Sequence, residues 1–198
     1  MNKVYFKEDK HRYFLDEGMT QEVPGVSYLL SKYGYSNFDK LKQMGLKEVI
    51  EAKADRGSKV HKTLMLHDEG TLESFDEAIL GEVTGWRKFL ADHKPEFLII
   101  EEPLVSKVWG FAGTLDRYWR DSLADIKIGG KQVAHEIQTA FYKILVEENF
   151  PTFKVKNRFT VELKNDCYKI IQHKNRKDEA VVKAIMTIFH HQKKAGLK

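Results

Sequence analysis

The sequence predicts an α/β fold: one domain with a mixed central β-sheet flanked by helices, preceded by an N-terminal β-hairpin and a helical lobe. Three observations over the 198 residues carry this. Residues 111–119 and 123–128 are strand-like runs separated by the turn formers Arg120, Asp121 and Ser122, the pattern of an antiparallel hairpin. The Gly129-Gly130 break is followed by a long helical pattern over 131–149, with Val133, Ile137, Ala140, Phe141, Ile144 and Leu145 on its apolar side. Two more strand-like runs, 158–163 and 168–173, and a last helix over 180–192 complete the alternation.

Taken in order, residues 3–16 read as two short strands around a polar turn at Glu8–Lys10, with His11 a surface residue of that hairpin, and Glu17-Gly18 makes the next turn. An apolar helix is expected over about 27–33. Helical spacing returns over 39–54 (Leu41, Met44, Val49, Ile50), with Gly45 a weak point, and again over 56–66. Ser74 and Glu77 have the spacing of a capping box for a helix that buries Ile79, Val83, Trp86 and Leu90 and stops at Pro95. Residues 96–106 read as the first core strand, and Pro103 argues for an edge or a bend. The strands 158–163 and 168–173 join at Lys164-Asn165-Asp166. Val181, Ile185 and Ile188 form the buried side of the last helix. The adjacent pair His190-His191 diverges on that helix and makes a poor chelate.

Composition narrows the function classes. Hydrophobic content of 42% supports a core, and 31% charged residues give a soluble surface. No apolar run approaches the roughly 20 residues that span a bilayer, and the N-terminus lacks a signal-peptide core, so a cytoplasmic protein with no membrane partner is expected. The one cysteine, Cys167, excludes an internal disulfide, a cysteine zinc site and a four-cysteine iron–sulfur cluster. Charge is uneven. Residues 151–198 hold 12 Lys/Arg against 4 Asp/Glu, whereas residues 1–150 hold 21 against 25. A basic tail on an acidic body suits a polyanion partner, although a solvated lysine face has the same composition.

The chemistry concentrates in the central hairpin. Alternation along the second strand turns Asp125 and Lys127 to one face and Ala124, Ile126 and Ile128 to the other. A tight turn over 120–121 or 121–122 sets Asp116 opposite Asp125 or Lys127, with Cβ atoms roughly 5 Å apart. Two carboxylates that close repel unless a cation lies between them, and oxygen ligands suit a divalent metal. Glu101 or Glu102 can approach the same place from the neighbouring strand. Gln138 and Tyr142 share a helix face by their i, i+4 spacing. Taken alone, that pair reads as incidental and His61 as a helix packing residue.

The ordered set Gly113-Thr114-Leu115-Asp116, Asp125-x-Lys127 and Gln138-x-x-x-Tyr142 resembles the PD-(D/E)xK nuclease superfamily, and most closely its RecB-type and lambda-exonuclease-like phage branch, here in a form without an iron–sulfur cluster. The resemblance spans the chain from about Tyr5 to the last helix. It implies a restriction-endonuclease-like sheet and a metal-dependent DNA exonuclease acting in phage-type DNA recombination or processing. Asp116 and Asp125 would hold Mg2+ or Mn2+ with the carbonyl of Ile126, and a glutamate at Glu101 often joins them. Lys127 would stabilise the phosphorane-like charge or position the attacking water, and Gln138 and Tyr142 would hold a phosphate or steady the lysine. Gly57, Val60 and His61 match the branch's Gly…Val-His helix motif, which makes His61 a further metal ligand. Where the family often has Thr or Ser after the lysine, Ile128 stands here. With no P-loop, an unwinding partner would be a separate recombination or replication protein. Lys154, Lys156, Arg158, Lys174 and Arg176 are the candidate contacts to the DNA backbone. The rival readings are a structure-specific or nicking endonuclease on the same fold and a catalytically silent DNA-binding module.

Overall fold

The computed structural model describes residues 3–7, 12–36, 44–129 and 133–197. The expected turn at Glu8–Lys10, His11, the start of a helix at Asp39, and Gly130 and Lys131 lie outside these residues. The N-terminal unit is a three-stranded antiparallel sheet, β1 (Tyr5–Lys7), β2 (Arg12–Phe14) and β3 (Glu22–Val23), one strand more than the sequence suggests. Helix α1 (Val26–Lys32) follows directly. The unit is tied to the main sheet where the Ala112 amide donates to the Pro24 carbonyl at 3.0 Å.

The main sheet has five strands in sequence order: β4 (Ile99–Ser106), β5 (Phe111–Trp119), β6 (Ser122–Ile128), β7 (Asn157–Lys164) and β8 (Cys167–Gln172). Neighbours are antiparallel except β6 and β7, so the sheet is mixed. A parallel pair needs a crossover, supplied by the helix α4 (Val133–Asn149). Pro103 lies on the edge strand β4, where a missing amide costs no ladder bond. The β7–β8 turn is Asn165-Asp166, both at left-handed φ (50° and 58°), a two-residue turn whose twist matches its strands.

Both faces of the sheet are covered. On one, α4, α1 and the last helix, α5 (Asp178–Lys194), bury Leu29, Phe111, Leu115, Leu123, Phe141, Leu145, Val182 and Met186. On the other, α2 (Lys47–Asp68) and α3 (Leu80–His93) pack Val60, Leu64, Val83 and Trp86 against Ala124, Ile126, Val161 and Leu163. A two-sided sheet explains why β6 is nearly apolar apart from Asp125 and Lys127.

Local expectations differ at several points. The second helical segment is one continuous helix through Ala54 and Arg56, and Gly45 sits in the turn before it at φ 77°. The cap before α3 is Asp76, whose carboxylate accepts from the Ala78 amide at 2.9 Å ahead of a short 3-10 turn (Glu77–Ile79); Ser74 does not fill that role. Val133 and Ile188 are exposed, because α4 and α5 turn Ile137/Phe141 and Val182/Ile185/Met186 inward instead. Among the described residues, no helix is long and apolar enough to cross a membrane.

Candidate active site

The site begins with the β5–β6 hairpin. Its turn is Arg120-Asp121, and the ladder runs Trp119↔Ser122, Tyr118↔Leu123, Arg117↔Ala124. That register points Asp116 at Asp125, and the ladder ends one rung before them. Asp116 bridges the parted strands instead: its Oδ2 accepts the Ile126 amide at 2.6 Å.

On the other side of Asp116, β4 and β5 do something less regular. Ile99 and Tyr118 pair and belong to the core beneath α4; Leu104, opposite Gly113, and Leu115, opposite Glu102, belong to the same core. Strict alternation cannot put residues three or five apart on one face. Both strands therefore exchange faces between these positions, while their register stays constant, Ile100↔Arg117 before and Glu102↔Leu115 after. Glu101 and Asp116 occupy the intervening rung, and Glu101 has φ 44°. A non-glycine residue in that region costs about 1–2 kcal/mol. Such strain persists where surrounding contacts hold it, and here they do.

His61 on α2 places Nδ1 3.1 Å from Glu101 Oε1 and 3.7 Å from Asp116 Oδ1. The three donor atoms lie within 4.8 Å of one another. Beside them, Lys127 Nζ donates to Asp125 Oδ1 at 2.9 Å. Asp125 is fully buried, and its Oδ2 makes no hydrogen bond among the described residues. The electrostatics follow from burial. Desolvation raises Asp116 and Asp125 above the ordinary carboxylate range, against the lowering influence of His61 and Lys127 respectively. Burial alone would depress His61, but Asp116 and Glu101 outweigh it and raise its pKa to about 9. The same contest, with Asp125 and Asp116 as the winning partners, raises Lys127. One imidazole nitrogen, two converging carboxylates and a neighbouring carboxylate oxygen without a partner fit a divalent cation. Ile126 lies between Asp125 and Lys127 on β6.

Gln138 and Tyr142 are buried on α4, and Gln138 Nε2 donates to Tyr142 Oη at 2.9 Å. Burial pushes the Tyr142 phenol well up, and the nearby Asp125 and Asp116 charges add to this. Gly113 makes room for the ring: a Cβ there would lie 3.0 Å from both Tyr142 Cε1 and Val26 Cγ2. Tyr142 and Gly113 also line a cavity of about 410 Å³ that opens past Arg12, Tyr28, Phe189 and Lys193.

The basic candidates fall elsewhere. The Lys156 amide bonds the Asp121 carbonyl, so Lys154 and Lys156 lie by the hairpin turn, roughly 13 Å along the strand from Asp125. Both are exposed, and Lys156 pairs with Asp121 at 3.2 Å. Lys174 and Arg176 are exposed in the loop after β8, at the same end of the sheet. Arg158 departs from its expected place at the surface. It is 6% exposed and binds Asp178 (2.7 Å), the carbonyls of Glu136 and Asn175, and Thr139. Its guanidinium is committed inside the fold, and it is not free to meet a phosphate.

Sequence reasoning passes over Arg117, Asp68 and His135. Arg117 is fully buried and bonds both Asp68 and Glu101. The available signal was an arginine on a strand whose two faces are both covered, where no water can solvate it. His135 is 5% exposed, with Nδ1 unpartnered among the described residues. Burial and the Lys127 charge depress its pKa to about 4.

No protein-family model and no curated protein sequence matches this chain. Solved structures do share its fold. An exonuclease candidate from Eubacterium rectale superposes with a TM-score of 0.51 at 12% identity, over 67% of this chain and 64% of that one. LHK-Exo, an alkaline exonuclease from Laribacter hongkongensis, in its complex with dAMP, gives 0.50 at 10% identity over 88% and 89%. The chain thus spans about two thirds of the first of these proteins. The five-stranded mixed sheet with flanking helices is the fold this chain shares with these two structures.

Proposed function

We propose that this chain is a divalent-metal-dependent deoxyribonuclease that removes nucleotides from DNA ends, in the manner of the RecB-type and lambda-exonuclease-like enzymes. One observation carries the reading: His61, Glu101 and Asp116 converge within 4.8 Å beside the bonded Asp125–Lys127 pair. Asp116, Glu101 and His61 would hold Mg2+ or Mn2+, with Asp125 Oδ2 and the Ile126 carbonyl available to complete the set. A nitrogen ligand favours Mn2+ relative to an all-oxygen site. A bound metal of this kind neutralises phosphate charge and acidifies a water. Lys127 would set its positive charge against the negative charge that builds on a phosphate at the moment of attack, and its bond to Asp125 holds it beside that carboxylate. Gln138 and Tyr142, joined amide to phenol, would steady a phosphate oxygen. The cavity bounded by Tyr142, Tyr28, Phe189 and Lys193 offers aromatic faces for bases and one lysine for a phosphate; Arg12, on its rim, is paired with Glu22. That LHK-Exo holds dAMP, a mononucleotide of the kind an exonuclease releases, supports the reading. Lys154, Lys156, Lys174 and Arg176 would carry the duplex backbone at the far end of the sheet, and DNA recombination or processing is the setting such an activity serves.

The test is digestion of end-labelled linear and covalently closed circular duplexes with Mn2+, Mg2+ or chelator, by wild type and Asp116→Asn. Metal-dependent shortening of the linear substrate alone, absent in the variant, is expected. Cleavage of circles would make the enzyme an endonuclease, and binding without cleavage would make it a silent DNA-binding module.

A further inference from the structure

We propose that Arg117 is a positioning residue for the metal site: its guanidinium, braced by Asp68, grips Glu101 and holds that carboxylate in place as a ligand. The inference rests on the metal-dependent reading above. Arg117 is adjacent to Asp116 in sequence, but its side chain leaves the site and enters the core under α3. There Nε donates to Asp68 Oδ2 at 2.8 Å, and Nη1 donates to Glu101 Oε1 at 3.0 Å and to the Asp116 carbonyl at 2.6 Å. The guanidinium lies 5.5 and 5.6 Å from the ring centres of Trp86 and Phe97. Asp68 is itself anchored: its Oδ1 accepts Trp86 Nε1 at 2.8 Å and lies 3.2 Å from His67 Nδ1.

Three consequences follow from chemistry. A fully buried guanidinium needs acceptors for its N–H groups, and Asp68 and Glu101 supply them. Its planar fork bonds two partners in fixed directions, which a lysine cannot do. The Glu101 oxygen it grips is the one facing His61, so the grip fixes both the orientation of the ligand and the strained backbone that delivers it. Asp68 and His61 belong to the same helix, α2, so one rigid element sets one donor directly and a second through Arg117.

Mn2+ is titrated calorimetrically into the full-length chain without DNA, using wild type, Arg117→Lys, Asp68→Asn, Glu101→Gln and the pairings of the first two with Glu101→Gln. Near-UV circular dichroism checks the fold. Lysine keeps the charge, so repulsion of the cation is unchanged and only the fork is lost. Mn2+ affinity is expected to fall about tenfold or more in Arg117→Lys and several-fold in Asp68→Asn. Added to Glu101→Gln, neither change should cost anything further, because both act through Glu101. Wild-type affinity in both single variants overturns the proposal, and so do losses that add in full in the double variants. If Arg117→Lys does not fold, Asp68→Asn carries the same comparison. A wild-type chain that binds no Mn2+ overturns the metal reading and this inference together; the other failures leave that reading standing.

Discussion

The Ile126 amide and the Asp116 carboxylate are joined at 2.6 Å across the point where β5 and β6 part company. This bond replaces the ladder pair that Asp116 and Asp125 would otherwise make. It keeps the two strands together beside their two buried carboxylates. An asparagine at 116 can still accept that amide, which makes structure and charge separable at this position.

Asp116→Asn should therefore fold, with a metal-free melting temperature at or above that of wild type. Burial makes the ionised Asp116 costly, and the variant removes that cost along with the charge that favours protonated His61. The metal-induced rise in melting temperature should disappear. In wild type that rise corresponds to about 2.7 kcal/mol at a metal concentration 100 times Kd. Scanning calorimetry with and without Mn2+ measures both, and an undiminished rise in the variant contradicts the ligand assignment.

His61 sets a proton against the metal. Without metal its pKa is raised from 6.5 to about 9, so its contribution to stability is full below pH 6.5 and fades as pH rises through about 9. A metal takes the neutral imidazole. Mn2+ binding at pH 7 should then release about one proton, with affinity rising up to roughly tenfold per pH unit below 9. Calorimetry in two buffers of different ionisation enthalpy counts that proton. His61→Ala should bind Mn2+ more weakly and release none; equal proton release in the variant places the linkage on another group.

His135 should give the opposite slope. Its pKa falls from 6.5 in the unfolded chain to about 4 in the folded one. Between those values the unfolded state binds more protons, so stability rises with pH across the window, by up to about 1.4 kcal/mol per unit. Urea midpoints of the metal-free protein from pH 4.5 to 7 should show this slope, and His135→Gln should flatten it. An identical slope in the variant would show that His135 is not its source.

The basic residues divide by environment. Lys154→Ala with Lys156→Ala should leave the fold unchanged and lower the log–log salt slope of duplex binding by about 0.9 per lost contact. Arg158→Ala should instead destabilise the protein by roughly 3 kcal/mol, because it strands Asp178 in the core. Binding across a salt series and denaturant unfolding separate the two effects. An unchanged slope and affinity in the lysine pair would mean that the footprint does not include these two residues.

What the sequence made readable was whatever is local. A tight turn within Arg120–Ser122, the alternation that turns Asp125 and Lys127 together, and the helical step from Gln138 to Tyr142 each depend on residues within a few positions of one another; only the register settles which two residues form the turn. Pro103 narrowed β4 to an edge or a bend, and the edge is what the sheet order shows. The burial of Arg158 was not legible, since a lysine- and arginine-rich stretch looks the same whether one cation points out or finds Asp178 twenty residues on. Nor was the Asp68–Arg117–Glu101 chain, whose members lie 49 and 16 residues apart. The left-handed backbone at Glu101 has no signature in residue type, because it is imposed by a helix, a neighbouring strand and an arginine that arrive from elsewhere.

The exchange of faces at Glu101 and Asp116 limits how this chemistry can be moved between scaffolds. A flat hairpin carrying Gly-Thr-Leu-Asp and Asp-x-Lys in the right order would reproduce the letters and misdirect the first carboxylate, which would follow ordinary alternation away from its partners. The transferable unit is the ribbon formed by β4 and β5 together, twisted at one shared rung. A single-residue insertion in either strand, on the Ile99/Tyr118 side of that rung, would swing one carboxylate to the opposite surface while leaving the other where it was.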